Sequence, residues 1–225
     1  MKLSIPLVLT FNGGFVDTAG FLALQGLFPA HVTGNFVTIG AALTGGSAGV
    51  VTKLLALPTF GLVVLLTTLL GRSLTERRRP AAQLLLTLKL VLLVLGAGMA
   101  VTLLPGQAVD SPAAMLTGLV LVTAMAVQNG FHRLHLGAFP PSTLMTGTTT
   151  QVMIDLADLL RGLPTERTRE TRGRLRLMLP QLAVFALGCA VAAALYAATG
   201  AWCFVLAPLV ALLALLASLS EGATT

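Results

Sequence analysis

Long apolar runs alternate with shorter, interrupted ones along this chain. Four runs, Leu54–Leu70, Leu84–Leu104, Leu175–Ala198 and Ala201–Leu219, are almost free of charge. Each is close to the ~20 residues that carry a helix across a bilayer. None has the strict polar–apolar alternation of a membrane β-strand, so the pattern predicts helices. Two more regions, Ser4–Gly46 and Pro112–Leu160, are apolar overall but broken. The break in the first is Gly26–Asn35, which contains Pro29, His31 and Thr33; in the second it is Gly137–Gly147, which contains Pro140, Pro141 and Thr146.

The first interrupted region holds 43 residues. As one straight helix it would be ~65 Å long, about twice the thickness of the hydrocarbon core. It therefore crosses twice, or crosses once with a detour. Charge chooses between these. Of the 14 Lys and Arg residues, 11 lie at Lys2, in Arg72–Arg79 or in Arg161–Arg176. Two crossings per interrupted region would put the two basic segments on opposite sides of the membrane. One net crossing per region puts both on the cytoplasmic side with both termini, as the positive-inside rule requires. Six net crossings follow. The first half then starts inside and the second starts outside, so the halves are oppositely oriented.

The order of small motifs supports a duplication. Gly14-Phe15-Val16-Asp17 aligns with Gly130-Phe131-His132-Arg133, and Phe28-Pro29 with Phe139-Pro140. Thr33-Gly34-Asn35 aligns with Thr146-Gly147-Thr148, and Leu57-Pro58 with Leu179-Pro180. The expected fold is an all-α integral membrane protein of two inverted repeats, residues 1–107 and 108–225, forming one membrane domain. Each repeat has three net crossings and a broken or re-entrant helix after its first membrane segment. Irregular backbone at membrane depth is tolerated only where protein buries it or it lines a cavity.

Composition agrees and narrows the function classes. Hydrophobic residues make up 56% of the chain and charged residues 10%, well below the ~25% charged of a soluble domain. Mean hydropathy is +0.91. The net charge of +6 is explained by topology rather than by nucleic acid. Cys189 and Cys203 lie in apolar runs and read as packing residues. The stretch Ile5–Thr10 after Lys2 reads as the start of the first helix, not as a signal peptide. No Walker A, G-x-S-x-G, HExxH or dinucleotide fingerprint is present in the sequence, so neither ATP-driven transport nor a familiar catalytic site is expected.

Asp17 is the charge most deeply embedded in an apolar region, and such residues face a cavity or a partner. The repeat sets Arg133 opposite it, which predicts a shared midplane site or an ion pair. The helix starts at Thr33, Gly34 and at Thr146, Gly147 offer unpaired N–H groups and a positive dipole end. Asn35 and Thr38 form one polar stripe, and Thr148, Gln151 and Asp155 another. Either stripe lines a solute path or joins helices by hydrogen bonds. His31, His132 and His135 are relay candidates with Asp17, against a plain hydrogen-bonded role. Three histidines without a ligand cluster predict no metal. Lys89 is expected to snorkel to the cytoplasmic surface, and Asp155 to face water there.

Gly14–Phe21 followed by His31-Val32-Thr33-Gly34-Asn35, with Gln128-Asn129-Gly130 and Met145-Thr146-Gly147, resembles the signature of the YoaK-like family of small bacterial multi-pass membrane proteins. The resemblance covers the whole chain and implies no activity, substrate or cofactor. The function expected from the residues is a secondary transporter of a small polar or anionic solute, proton-coupled through Asp17, with its site on the pseudo-two-fold axis between the broken helices. The expected substrate-binding residues are Asp17, Arg133, His31, Thr33, Gly34, Asn35, Thr38, Thr146, Gly147, Thr148 and Gln151. No cofactor and no enzymatic role are expected. The partners are membrane lipids and the solute, with homo-oligomerisation left open. The place is the bacterial inner membrane. A passive channel is the main alternative, followed by a lipid-acting intramembrane enzyme and a scaffold subunit.

Overall fold

The computed structural model describes residues 4–45, 49–108, 110–162 and 164–222, and these form helices and connections with no strand. The helices are α1 (Ile5–Ala23), α2 (Gly34–Gly45), α3 (Val50–Glu76), α4 (Ala81–Leu103), α5 (Pro112–His135), α6 (Met145–Arg161), α7 (Thr165–Thr199) and α8 (Leu206–Gly222). Five stretches are long and apolar enough to cross a membrane: Ile5–Ala23, Val50–Glu76, Ala81–Leu103, Pro112–His135 and Thr165–Ser220. The last contains α7 and α8, separated by the 3-10 turn Gly200–Val205. This is a helical membrane protein. The uninterrupted runs lie in α3, α4, α7 and the turn with α8, and each interrupted region holds one long and one short helix.

Local chemistry sets several boundaries. Pro6 opens α1, where a missing N–H costs nothing. Ser111 caps α5, its Oγ accepting from Ala114 N at 3.2 Å. The matched prolines Pro58 and Pro180 both sit inside helices, α3 and α7, where each removes one ladder hydrogen bond. Thr68, Thr75, Thr87 and Thr102 donate back to the carbonyl four residues earlier, so these hydroxyls are satisfied within their own helices in an apolar setting.

α1 and α5 are the most buried helices and α3 is the least. α3 turns Leu54, Leu62, Leu65, Leu66 and Leu69 outward, the composition of a lipid-facing surface. α1 lies on α7, and α5 lies on α3. α2 lies on α3, and α6 on α7. α8 lies on α1, and α4 on α5. α4 contacts α8, and α1 contacts α5.

Residue pairs give the helix directions. Thr10 meets Gln181 and Gly14 meets Cys189, so α1 and α7 run parallel. Gly118 faces Thr52 and Gly130 faces Thr67, so α3 and α5 also run parallel. Gly96 meets Leu121, while Leu85 and Leu134 converge over Gly71, so α4 opposes α5. Asn12 bonds to Ala207, while Ile5 and Leu9 cluster with Ala214 and Ala217, so α8 opposes α1. Gln83 reaches Ser218, and Leu93 clusters with Ala207, so α8 opposes α4 as well. α1, α4 and α7 therefore point one way and α3, α5 and α8 the other.

Candidate functional site

The chain after α1 folds back along the helix it has just left. Asp17 Oδ1 accepts the N–H of Ala30 at 2.6 Å and of His31 at 3.2 Å. Asp17 lies six residues before the end of α1, so the connection has returned by about 9 Å. Gly20 permits this approach, because a Cβ there would stand 2.6 Å from the ring of Pro29. Asn35 locks the same connection from the other side. Its Oδ1 accepts from Phe28 N at 2.8 Å and its Nδ2 donates to Phe28 O at 3.0 Å. Thr38 Oγ1 donates to Asn35 O, so this stripe is spent on local structure.

The chain after α5 does the same with other residues. Gln128 Nε2 donates to Ser142 Oγ at 3.0 Å, and Thr143 Oγ1 donates to Asn129 Oδ1 at 2.8 Å. A ring nitrogen of His132 lies 3.3 Å from Phe139 O. Ser142 has thus returned to the level of Gln128, seven residues before the helix ends. Gly13 of α1 admits it, since a Cβ there would meet Ser142 O at 2.7 Å.

Two cavities flank these connections, and His31 borders both. One, of about 270 Å³, is lined by Asp17, Thr18, Phe21, Phe28, His31, Phe185 and Cys189. The other, of about 360 Å³, is lined by His31, Pro141, Leu144, Thr146, Gly147 and Thr148. The structure therefore places the segment before α2 and the first turn of α6 on the wall of one cavity. Of the polar candidates, Asp17, His31, Thr146, Gly147 and Thr148 reach cavity walls. Thr33 is exposed, and Gly34 packs beside the Phe28 ring.

Three expectations need correction. Asp17 and Arg133 do not meet. Gln128 donates to Leu9 O, which fixes the register of antiparallel α1 and α5. From that contact Asp17 lies eight residues along α1, and Arg133 lies five residues along α5 in the opposite direction. Their separation in depth is roughly 20 Å. Arg133 is exposed, and His132 and His135 accompany it, away from Asp17.

Asp155 does not face water. It is fully buried and paired with Arg174, whose Nη2 lies 2.7 Å from Oδ1 and whose Nε lies 3.1 Å from Oδ2. Gln151 adds a third bond, from Nε2 to Oδ1 at 2.9 Å. The stripe of α6 is thus an anchor onto α7, and Gln151 belongs to that anchor. The Arg174 guanidinium, hydrogen-bonded to it, holds the Asp155 carboxyl below the usual carboxylate range.

Lys89 does not snorkel. It is 1% exposed, and its Nζ has no hydrogen-bond partner. Sequence reasoning also passed over Asn12 and Gln128. Both are fully buried, and the carbonyl oxygen of each is unpaired. One signal was present in the sequence. Asn12 and Gln128 stand two residues before Gly14 and Gly130, at matched positions of the motif alignment.

No curated protein and no solved structure matches the chain. A family model, described as protein of unknown function (DUF1275), matches residues 5–217, and the chain belongs to that family.

Proposed function

We propose that this protein is a secondary transporter of a small polar or anionic solute, built as two inverted repeats of three crossings. The observation that carries the reading is the paired fold-back. The connections after α1 and after α5 both return into the bundle, and His31 from the first shares a cavity with Thr146–Thr148 from the second. Re-entrant backbone beside a central cavity is the recurrent plan of secondary transporters.

The helix order supports the inversion. Exchanging α1–α4 with α5–α8 turns each packing pair above into another pair on the same bundle; the α3–α4 contact is the exception, its image being a contact of α7 with the turn Gly200–Val205 rather than with α8. The directions α1, α3, α4 are the reverse of α5, α7, α8. They set Arg72–Arg79, Arg161–Arg176, the start of α1 and the end of α8 at one end of the bundle, which is the cytoplasmic end of a bacterial inner membrane protein. His31 borders the cavity shared with Thr146–Thr148 and the smaller neighbouring one, whose wall also holds Asp17.

The test is transport by the purified chain in proteoliposomes, read as anion uptake and change of internal pH when sodium salts of small organic and inorganic acids are applied across a pH gradient. Saturable flux that is reduced at least tenfold in Thr148→Leu or His31→Leu supports the reading. Flux that rises linearly with concentration and ignores the gradient would replace it with a channel. No flux under any condition would leave the lipid-acting and scaffold readings.

A further inference from the structure

Two of the apolar clusters share α1, α4, α5 and α8. One contains Phe15, Leu93, Met125, Ala207 and Ala211. The other contains Leu9, Leu86, Phe131 and Ala214. Between them three helices insert buried polar side chains; Thr10 on α1 is satisfied by Pro6 O and Gln181 Oε1, and one residue per helix in this layer is left with an unpaired atom. Asn12 lies between Leu9 and Phe15 on α1, Lys89 between Leu86 and Leu93 on α4, and Gln128 between Met125 and Phe131 on α5. The register agrees. Lys89 is seven residues before Gly96, which meets Leu121, and Gln128 is seven residues after Leu121 on the antiparallel helix.

All three residues are unsatisfied, and in a complementary way. Asn12 Nδ2 donates to Ala207 O at 3.2 Å, and Gln128 Nε2 donates to Leu9 O and Ser142 Oγ. These bonds fix both amides and leave both carbonyl oxygens without a donor. Lys89 offers up to three donors and has no acceptor. A lysine that only filled space would be poorly placed here. A buried charge without a partner is costly, and an apolar side chain of similar volume would be better tolerated.

We propose that Lys89, Asn12 and Gln128 form the binding site for one small oxyanion that also carries a hydroxyl group. The ammonium would bind the anionic oxygens and keep one N–H for one amide carbonyl, and the other amide carbonyl would accept from the hydroxyl. This deepens the transporter reading and rests on it for the route of entry. Ser142 and Thr143 are each 1% exposed against this layer, while Pro141 and Leu144 of the same connection line the cavity shared with His31. One strand of chain separates cavity from site.

The experiment is thermal unfolding of the full chain in nanodiscs with added sodium bicarbonate, glycolate, lactate or phosphate, against chloride and the hydroxyl-free oxyanion nitrate at equal ionic strength. At least one hydroxyl-bearing anion should raise the midpoint saturably in wild type. Lys89→Met should abolish that response, Gln128→Leu should raise the half-saturating concentration at least tenfold, and Arg133→Gln should keep the response unchanged. If Lys89→Met does not fold, Gln128→Leu and Asn12→Leu carry the same test. Absence of a saturable shift in wild type, or an unaltered shift in the layer variants, overturns the site. The two proposals fail separately. Binding that depends on Lys89 without any flux leaves the site and removes the transporter. Saturable flux unchanged in Lys89→Met does the reverse.

Discussion

Replacing Gly188 by alanine adds one methyl at the tightest point between α1 and α7. A Cβ there would overlap the carbonyl oxygen of Phe11 and stand 3.1 Å from Phe15 N. Both neighbours are backbone atoms, so no rotamer change relieves the overlap. The helices must separate by about 1 Å, and a gap of that size forfeits a quarter to a half of each contact along the seam. Overpacking of this kind costs ~1–3 kcal/mol, partly offset by the ~1 kcal/mol by which alanine favours helix over glycine. The net expectation is a loss of up to about 2 kcal/mol. Gly98 on α4 is the control, because a Cβ there meets nothing within 4 Å. Gly98→Ala should therefore gain up to ~1 kcal/mol. Gly14 sits in the same seam, its Cβ direction blocked by Phe185 O. Once Gly188→Ala has parted the helices, Gly14→Ala should cost less than it does alone. The assay is reversible unfolding in mixed detergent micelles. If Gly188→Ala and Gly98→Ala change stability with the same sign, the close-approach argument is wrong.

Asp17→Asn keeps an acceptor for Ala30 and His31 and should stay within about 1 kcal/mol of wild type, whereas Asp17→Leu strands two buried N–H groups and should lose ~2–4 kcal/mol; equal stabilities would refute the carboxylate's role as a clasp. The exchange Asp17→Arg with Arg133→Asp should give no rescue over the single variants, since the two side chains are far apart in depth, and recovered folding yield in the double variant would contradict the register. Asp155 has a lowered pKa in the folded protein, so its pairing contributes stability that is present above about pH 3.9 and lost as pH falls through the lower folded value. The difference in melting temperature between wild type and Asp155→Asn should therefore be constant from pH 8 to 5 and shrink only below pH 4; a difference that disappears near pH 6 would disprove it.

The parts of this fold written in the sequence are those that depend on period and length. Apolar runs of bilayer length, the Gly/Pro breaks and the matched Pro58 and Pro180 all fall where the helices, fold-backs and helix interiors are found. The direction a single side chain takes was not legible. Lys89 is two turns into an almost wholly apolar helix, where the snorkelling rule applies to a residue facing lipid. Here its neighbours on the same face, Leu85, Leu86 and Leu93, are all buried, so the ammonium is carried into the bundle. A helix apolar on every side gives no periodic signal to say which face turns inward. Asp155 takes the helix-joining role that the sequence leaves open for its stripe, but its partner is not legible there, because Arg174 belongs to a basic segment whose charge topology already explains.

The failed pairing of Asp17 with Arg133 has a geometric cause that bears on where a central site can be. A two-fold axis in the membrane plane carries a residue at one depth to its counterpart at the opposite depth. Matched residues can meet only if both lie at the level of the axis. Asp17 and Arg133 are displaced from the Leu9–Gln128 contact in opposite directions, so inversion drives them apart. Asn12 and Gln128 are matched too, but Gln128 reaches the α1 backbone within one turn of Asn12. The level at which α1 and α5 touch is therefore where matched polar residues can converge, and it is the level at which α4 delivers Lys89. α8 supplies only Ala207, Ala211 and Ala214 on its buried face there. Under the inversion proposed above, Lys89 would therefore stand at the level of the axis without a charged counterpart on the buried face of α8.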